Sequence, residues 1–534
     1  MSRWNRNTLS ARRQSDVIST SASDDTHSFS GHSLQISSKE SKANGGSNIE
    51  LMVSVLLIPI TVGCYVYSFG LYANELKENL NLSQSELTTL SSAIFCAGVL
   101  QWVPGIIVDK YGERFSMLVG AFLGSSGMVL YWFIAKTYIT IEPRWMLVPG
   151  LTALTVLIYL SECLIYGSVF KIIVKVCHDT KGTIVGVAKG QVGLGAGVFV
   201  MLFSCFPTKS HLDILLLMAA FFVVFNSCLP FFGGIPSTIH GGRPDPFTKH
   251  HLYLIYLSMF LCALLVVGQS LWGLYTGIGD ADNDAVDEPQ EQRELDEAAE
   301  GGHIDYLKFL IVLAAWTGPL VSMLFLKRSE HSRLPLSEPS SNGTMSKDKE
   351  LRASYNLIQM LQTPAAWLLA WTLIMLAGAG VSVTQSVGQM VQALEFPKST
   401  TPAALALFAV GNATSRVVTG AVSEGFVQSG IPRPALLLVA AFASTVAHAL
   451  LAMADDEFEF LISLALAGIA FGMYHPLLIL IVGELFGPKY LASNFLFFDG
   501  LSLAGGSLVV NKFISQHVYE AHLEEGQKTC IGRG

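Results

Sequence analysis

Apolar runs of about twenty residues recur along the chain, separated by short polar stretches, from about residue 51 to about residue 514. At about 1.5 Å per residue, twenty residues of helix cross the ~30 Å hydrocarbon core of a bilayer. The pattern predicts spans over about 51–72, 86–108, 115–135, 145–170, 183–206, 211–233, 251–278, 305–326, 363–391, 399–421, 434–453, 458–481 and 490–514. The first is interrupted by Gly63 and Gly70 and carries Thr61, Tyr65, Tyr67 and Ser68. Such a helix can bend and line a polar cavity.

Composition sharpens the picture. Of 534 residues, 51% are hydrophobic and only 14% charged, against about a quarter charged in a soluble domain. Mean hydropathy is +0.47. The fold class is therefore an all-α polytopic membrane protein. The net charge of −8 misleads, because ten acids lie between Asp280 and Glu300 with Arg293 as the sole base. That stretch reads as a solvated loop on the outside. Seven of the eight cysteines fall in or beside apolar runs, which reads as packing and not as a disulfide framework.

Bases set the orientation. Residues 1–48 are Ser-rich, carry Arg3, Arg6, Arg12 and Arg13, and contain no apolar core for a cleavable signal peptide. They read as a disordered cytoplasmic tail. Lys171, Lys175 and Lys181 in one loop, and Arg433 and Lys489 in later ones, fall on the same side. The expected organisation is a six-helix half at 49–235, a linker with two extra helices at 236–326, a disordered cytoplasmic linker at 327–362, and a second half at 363–534.

One hairpin stands out: Gly105-Ile-Ile-Val-Asp109-Lys110-Tyr-Gly112-Glu113-Arg114. Gly105 and Asp109 lie one turn apart on one helix face. The glycine lets a neighbouring helix come close, and the acid can then reach that helix's N-terminal amides or a nearby base. Gly112 permits the tight turn. The hairpin resembles the loop between helices 2 and 3 of the major facilitator superfamily, with its Gly-x-x-x-Asp-Arg/Lys-x-Gly-Arg-Arg pattern. Gly420 and Glu424 repeat the spacing 315 positions later, again before a base, Arg433. The same offset relates the starts of the two halves. It also predicts one more helix beyond Gly534, so a last span is expected to be missing from this chain.

Further runs narrow the resemblance. Gly186-Val-Ala-Lys189-Gly-Gln-Val-Gly193-Leu-Gly195-Ala, Gly388-Gln389-Met390-Val-Gln392, and Gly411-Asn412 through Arg416, Gly420 and Glu424 to Gly430-Ile-Pro432-Arg433-Pro434 are similar to segments of nodulin-like major facilitator proteins. So are Glu484-Leu-Phe-Gly487, Ala504-Gly-Gly-Ser507 and Cys530-Ile-Gly532. The resemblance implies solute transport without fixing the solute. Asp499 stands where many relatives have Asn.

Ionisable groups inside spans cost several kcal/mol to insert and so mark function. Glu162 and Lys189 count to similar depths; they either pair, or Lys189 holds an anionic solute or snorkels. Arg416 either faces the cavity or pairs with Glu424 as part of a gate. His475 is either a proton carrier or a packed neutral ring. Asp499 either couples protons or bonds a helix face. Gln191, Gln385 and Gln389 suit a polar cavity, and Tyr65 and Tyr67 are packing or contact residues.

No catalytic, metal or cofactor pattern surfaces. Gly193-Leu-Gly195-Ala-Gly197 lacks the Gly-Lys-Ser/Thr ending of a phosphate-binding loop, and there is no CxxC or HExxH. The expectation is a non-enzyme: a secondary transporter of a small solute, with protons as a possible coupling ion. It would sit in a plasma or vacuole-type membrane, bind no nucleic acid and work as a monomer. The competing class is a non-transporting receptor or scaffold of the same fold. The gating set would be Gly105, Asp109, Lys110, Gly112, Arg114, Arg416, Gly420 and Glu424. The solute or coupling set would be Glu162, Lys189, Gln191, Gln389, His475 and Asp499.

Overall fold

A run of apolar residues can enter a bilayer only if its own backbone is satisfied, and the helix does that within one segment. A computed structural model of the chain describes residues 49, 51–177, 179–207, 210–232, 247–283, 305–326, 354–397, 400–515 and 517–518, and among them there is no strand. Nine of the described helices are long and apolar enough to cross a membrane, a bent pair makes a tenth, and three shorter apolar helices accompany them. All follow the order of the apolar runs.

The first half begins with α1 (Leu51–Val62) and α2 (Cys64–Asn79). They are one span interrupted at Gly63, where a Cβ would run into the Val192 carbonyl. The chain continues through α3 (Gln84–Cys96), α4 (Trp102–Tyr111), α5 (Glu113–Ala135) and α6 (Leu147–Val176). Then come α7 (Lys181–Phe203) and α8 (Ile214–Phe232). The sequence predicts one span at 86–108, and there the helices on either side of Gln101 meet at 46°. The cause is Pro104, which cannot donate to the Leu100 carbonyl and crowds it.

The extra pair is α9 (Lys249–Asn283) and α10 (Tyr306–Ser322). Helix α9 runs on through Asp280 and Asp282, so the acidic stretch starts as helix. Its remainder lies outside the described residues, as do residues 1–48 and the chain beyond Val518, with the expectations attached to them. Of the linker expected to be disordered at 327–362, residues 354–362 are described, and they are ordered. Asn356 caps α11 (Leu357–Leu361) through a capping box, and Tyr355 N–H donates to the Phe486 carbonyl at 2.9 Å.

The second half comprises α12 (Pro364–Ala393), α13 (Thr400–Gln428), α14 (Pro434–Met453), α15 (Glu457–Phe486) and α16 (Leu491–Gly506). A wide π-helical stretch, Ser507–Ser515, extends the last. The halves meet most extensively along two helix pairs: α7 lies along α13, and α4 along α16. Both seams are made of small residues. A Cβ on Gly186 would sit 2.6 Å from the Arg416 carbonyl, and one on Gly105 would sit 2.7 Å from the Ala492 carbonyl. Helix α9 packs against both α7 and α13.

Candidate functional site

At the seam of the two halves lies a cluster of buried charge. Lys189 on α7 is fully buried, and its Nζ donates to Asp499 Oδ1 on α16 at 2.8 Å and to the Tyr166 hydroxyl on α6. The ammonium is boxed by three rings, 4.6 Å from the Tyr166 centroid, 5.6 Å from Phe170 and 5.7 Å from Phe495. Such faces attract a cation where water is excluded. So a residue of the first half is bonded to one in the second, 310 positions away.

Arg416 on α13 lies beside it, 1% exposed. Its Nη1 donates to the Lys189 carbonyl at 2.8 Å, its Nε to Asn412 Oδ1 at 2.9 Å, and its Nη2 lies 3.1 Å from His475 Nε2. Every one of these acceptors is neutral. His475 Nδ1 lies 3.0 Å from the Phe471 carbonyl. A carbonyl only accepts, so Nδ1 carries the proton and Nε2 receives from Arg416. The imidazole is a neutral link, stacked on Tyr474. Replacing Arg416 with Lys keeps the charge but cannot reach three acceptors at once. The expected loss is about 2–3 kcal/mol of stability, read as a lower thermal unfolding midpoint.

Two pairings that the sequence left as alternatives do not form. No ion pair joins Glu162 to Lys189. Helix α6 runs on to Val176, beyond the predicted end, so Glu162 is fourteen residues from that end while Lys189 is eight from the start of α7. The depths differ by about 9 Å at 1.5 Å per residue. Tyr166 takes the level assigned to Glu162. Likewise Arg416 does not reach Glu424, which is eight residues, about 12 Å, further along the same helix.

Glu424 instead belongs to one end of the bundle. Asp109 Oδ2 accepts from Ser493 N–H at 2.9 Å and Ser493 Oγ at 2.7 Å, in the first turn of α16, while Oδ1 meets Lys171 Nζ at 2.7 Å. Glu424 Oε1 accepts from the Gly182 N–H in the first turn of α7, while Oε2 meets Arg433 at 3.0 Å. The two arrangements are reciprocal: an acid of each half sits on a helix start of the other, where free amides and the helix dipole favour an anion. Burial draws the Arg433 guanidinium below its ordinary pKa, and Glu424 pulls it back. Glu484 and Lys181 extend the second set, and Glu113 and Lys175 the first. Gly112 turns the chain at φ 88°. Gly420 lets α13 approach α7: a Cβ there would sit 2.7 Å from the Gly186 Cα.

The remaining residues singled out from the sequence scatter. Lys110 and Arg114 are exposed, Lys110 with its Nζ 5.1 Å from the Tyr111 ring centroid. Gln191 is buried, with neither side-chain polar atom partnered among the described residues. Gln389 is exposed on α12. Tyr67's side chain lies outside the described ones. The sequence reading missed Tyr166, Asn412 and Ser493. Asn412 carried a signal, four residues before Arg416 on one helix face. Tyr166 carried a similar one, four residues after Glu162. Ser493 had none beyond its place near a helix start.

The Nodulin-like family model matches residues 49–275. No curated protein matches the chain. Among solved structures, the major facilitator proton:xylose symporter XylE is similar over 90% of this chain and 92% of its own, with a TM-score of 0.56 and 13% identity. The human organic anion transporter MFSD10 (TETRAN) is similar over 89% and 94%, with a TM-score of 0.51 and 11% identity. The chain is thus a multi-pass membrane protein that carries the Nodulin-like segment over residues 49–275 on the fold of the major facilitator superfamily.

Proposed function

We propose that the protein is a secondary transporter that moves a small organic anion by alternating access, without a chemical step. The observation that carries this reading is the charge of the central cluster. Lys189 and Arg416 supply two cations, Asp499 supplies one anion, and Arg416's hydrogen-bond acceptors are neutral. A buried excess of positive charge is costly unless an anion arrives to balance it. Because the cluster lies on the seam, an anion bound there touches both halves, which is what couples binding to rocking. The fold of XylE and MFSD10 supports the transporter class.

The end latched by Asp109 and Glu424 is read as the cytoplasmic end, with the N-terminus on that side. The contacts between the halves run from there to Gly193 beside Ala413 and Gly98 beside Gly500. Gln385 and Gln389 beyond that level are exposed. This fits a conformation closed at the cytoplasmic end and accessible from the other. The protein would work as a monomer in a plasma or vacuole-type membrane.

The test is uptake into proteoliposomes of a panel of short carboxylates, sugars and riboflavin, with and without an imposed pH gradient. Saturable uptake of a carboxylate above protein-free vesicles is the expected result. Uptake of neutral sugars alone would overturn the anion reading. No uptake of any solute by well-folded protein would favour the receptor or scaffold class.

A further inference from the structure

Helix α16 begins without a cap of its own. Tyr490 stands at the N-cap, and its side chain bonds none of the first-turn amides. Such a turn frays unless something outside the helix holds it. Two groups do. One is Asp109, on the Ser493 N–H and Oγ. The other comes from the segment that leads into α11: Asn494 is fully buried, and its Nδ2 donates to the Tyr355 carbonyl at 2.9 Å.

Tyr355 is tied on its other side as well. Its N–H donates at 2.9 Å to the carbonyl of Phe486, the last residue of α15, where no amide of that helix can reach. Its ring meets the Phe486 ring edge-on, with centroids 6.2 Å apart. Beside it, Ser354 closes on the turn at Gly487, where φ is 84° and a Cβ would sit 2.6 Å from Ser354 Oγ. The segment is fixed in its turn by the Asn356 capping box and by Met360, fully buried on α11. The backbone of one residue thus closes the end of α15 and holds the start of α16.

We propose that Tyr355 and Asn494 form a clamp that positions the Asp109 latch. Ser493 and Asn494 are successive residues of one turn. While the clamp holds Asn494, that turn stays wound, and the Ser493 amide and hydroxyl stand ready for Asp109. Without it, each closure of this end must first wind the turn, which fixes several dihedrals for one hydrogen bond. The latch is then weaker although both of its partners are intact. Tyr355 and Asn494 are therefore positioning residues that act through Ser493. The Glu424 latch sits on a different helix start, that of α7, and should not feel the clamp. The inference concerns the opening of this end and holds whether or not a solute is moved.

The test reads how fast a maleimide labels the full-length, detergent-solubilised protein carrying Val108→Cys. Val108 is fully buried on α4, against Ala492 and Leu164, so its labelling reports the parting of α4 from α16. Asn494→Ala is expected to speed labelling about tenfold, the worth of one buried hydrogen bond. Added to Glu424→Ala it should give the same tenfold. Added to Asp109→Ala it should give less than about twofold, because the latch it serves is already gone. Tyr355→Gly loosens the clamp from outside α16; it should repeat the pattern, and it carries the test if Asn494→Ala does not fold. An equal factor on the Asp109→Ala and Glu424→Ala backgrounds would show general loosening of the corner and overturn the proposal. Asp109→Ala labelling no faster than the parent would overturn it too, and would leave the transport reading standing.

Discussion

Replacing Lys189 with Ala is expected to abolish anion uptake and to lower stability by about 3–5 kcal/mol, the cost of leaving one member of a buried ion pair uncompensated. Asp499 would be left with no cation, among Tyr166, Phe170 and Phe495. A second variant separates the two effects. Lys189→Met with Asp499→Leu removes both charges, and an apolar pair of similar volume is often neutral or better in stability. The double variant should therefore regain most of the lost unfolding temperature while uptake stays absent. The difference between the single and double variants measures the coupling. Parental uptake by the double variant would reduce the pair to packing. Lys189→Arg keeps the charge but brings a planar fork into a box shaped by three rings, and a strong loss of uptake is expected there too.

The second large effect is at the latched end. Asp109→Ala with Glu424→Ala removes both acids from the first turns of α16 and α7. A charge-assisted hydrogen bond at a helix start is worth about 2 kcal/mol. Losing both shifts the balance of conformations by about 4 kcal/mol, close to a thousandfold. The latched end should then stand open most of the time. Ala492, on α16 and buried where that helix meets Gly105 of α4, provides the readout. In an Ala492→Cys background, an impermeant maleimide should label the double latch variant rapidly and the parent slowly. Each single variant should fall between. Equal labelling of parent and double variant would mean that the latches do not hold this end shut.

The spans were legible because a bilayer demands long apolar runs, and thirteen of them stand out between polar loops. Their interruptions were only half legible. Gly63 announced the break in the first span, whereas Pro104 sat inside an apolar run and its bend passed unseen. The Gly-x-x-x-Asp spacing pointed to a neighbouring helix start, but nothing local could name α16, which begins almost four hundred residues later. The same holds for Lys189 and Asp499. Each stood out as a charge in an apolar run, yet their meeting depends on how two halves fold against each other. The error over Glu162 was one of length: α6 outruns its apolar stretch to Val176 because Lys171 and Lys175 find acids at Asp109 and Glu113. A depth counted from the end of hydrophobicity was therefore short.

Helix α9 lies over the seam of α7 and α13, and Met259 meets the space beside Gly190 and near Val417. In a carrier of two six-helix halves alone, that seam would border acyl chains. Here any sliding of one half past the other shears against a third helix, with a flexible thioether at the contact. Friction in the cycle would then come from side-chain repacking more than from the viscosity of the surrounding lipid. A carrier built this way should keep its turnover across membranes of different fluidity, and should change it when the volume at Met259 changes.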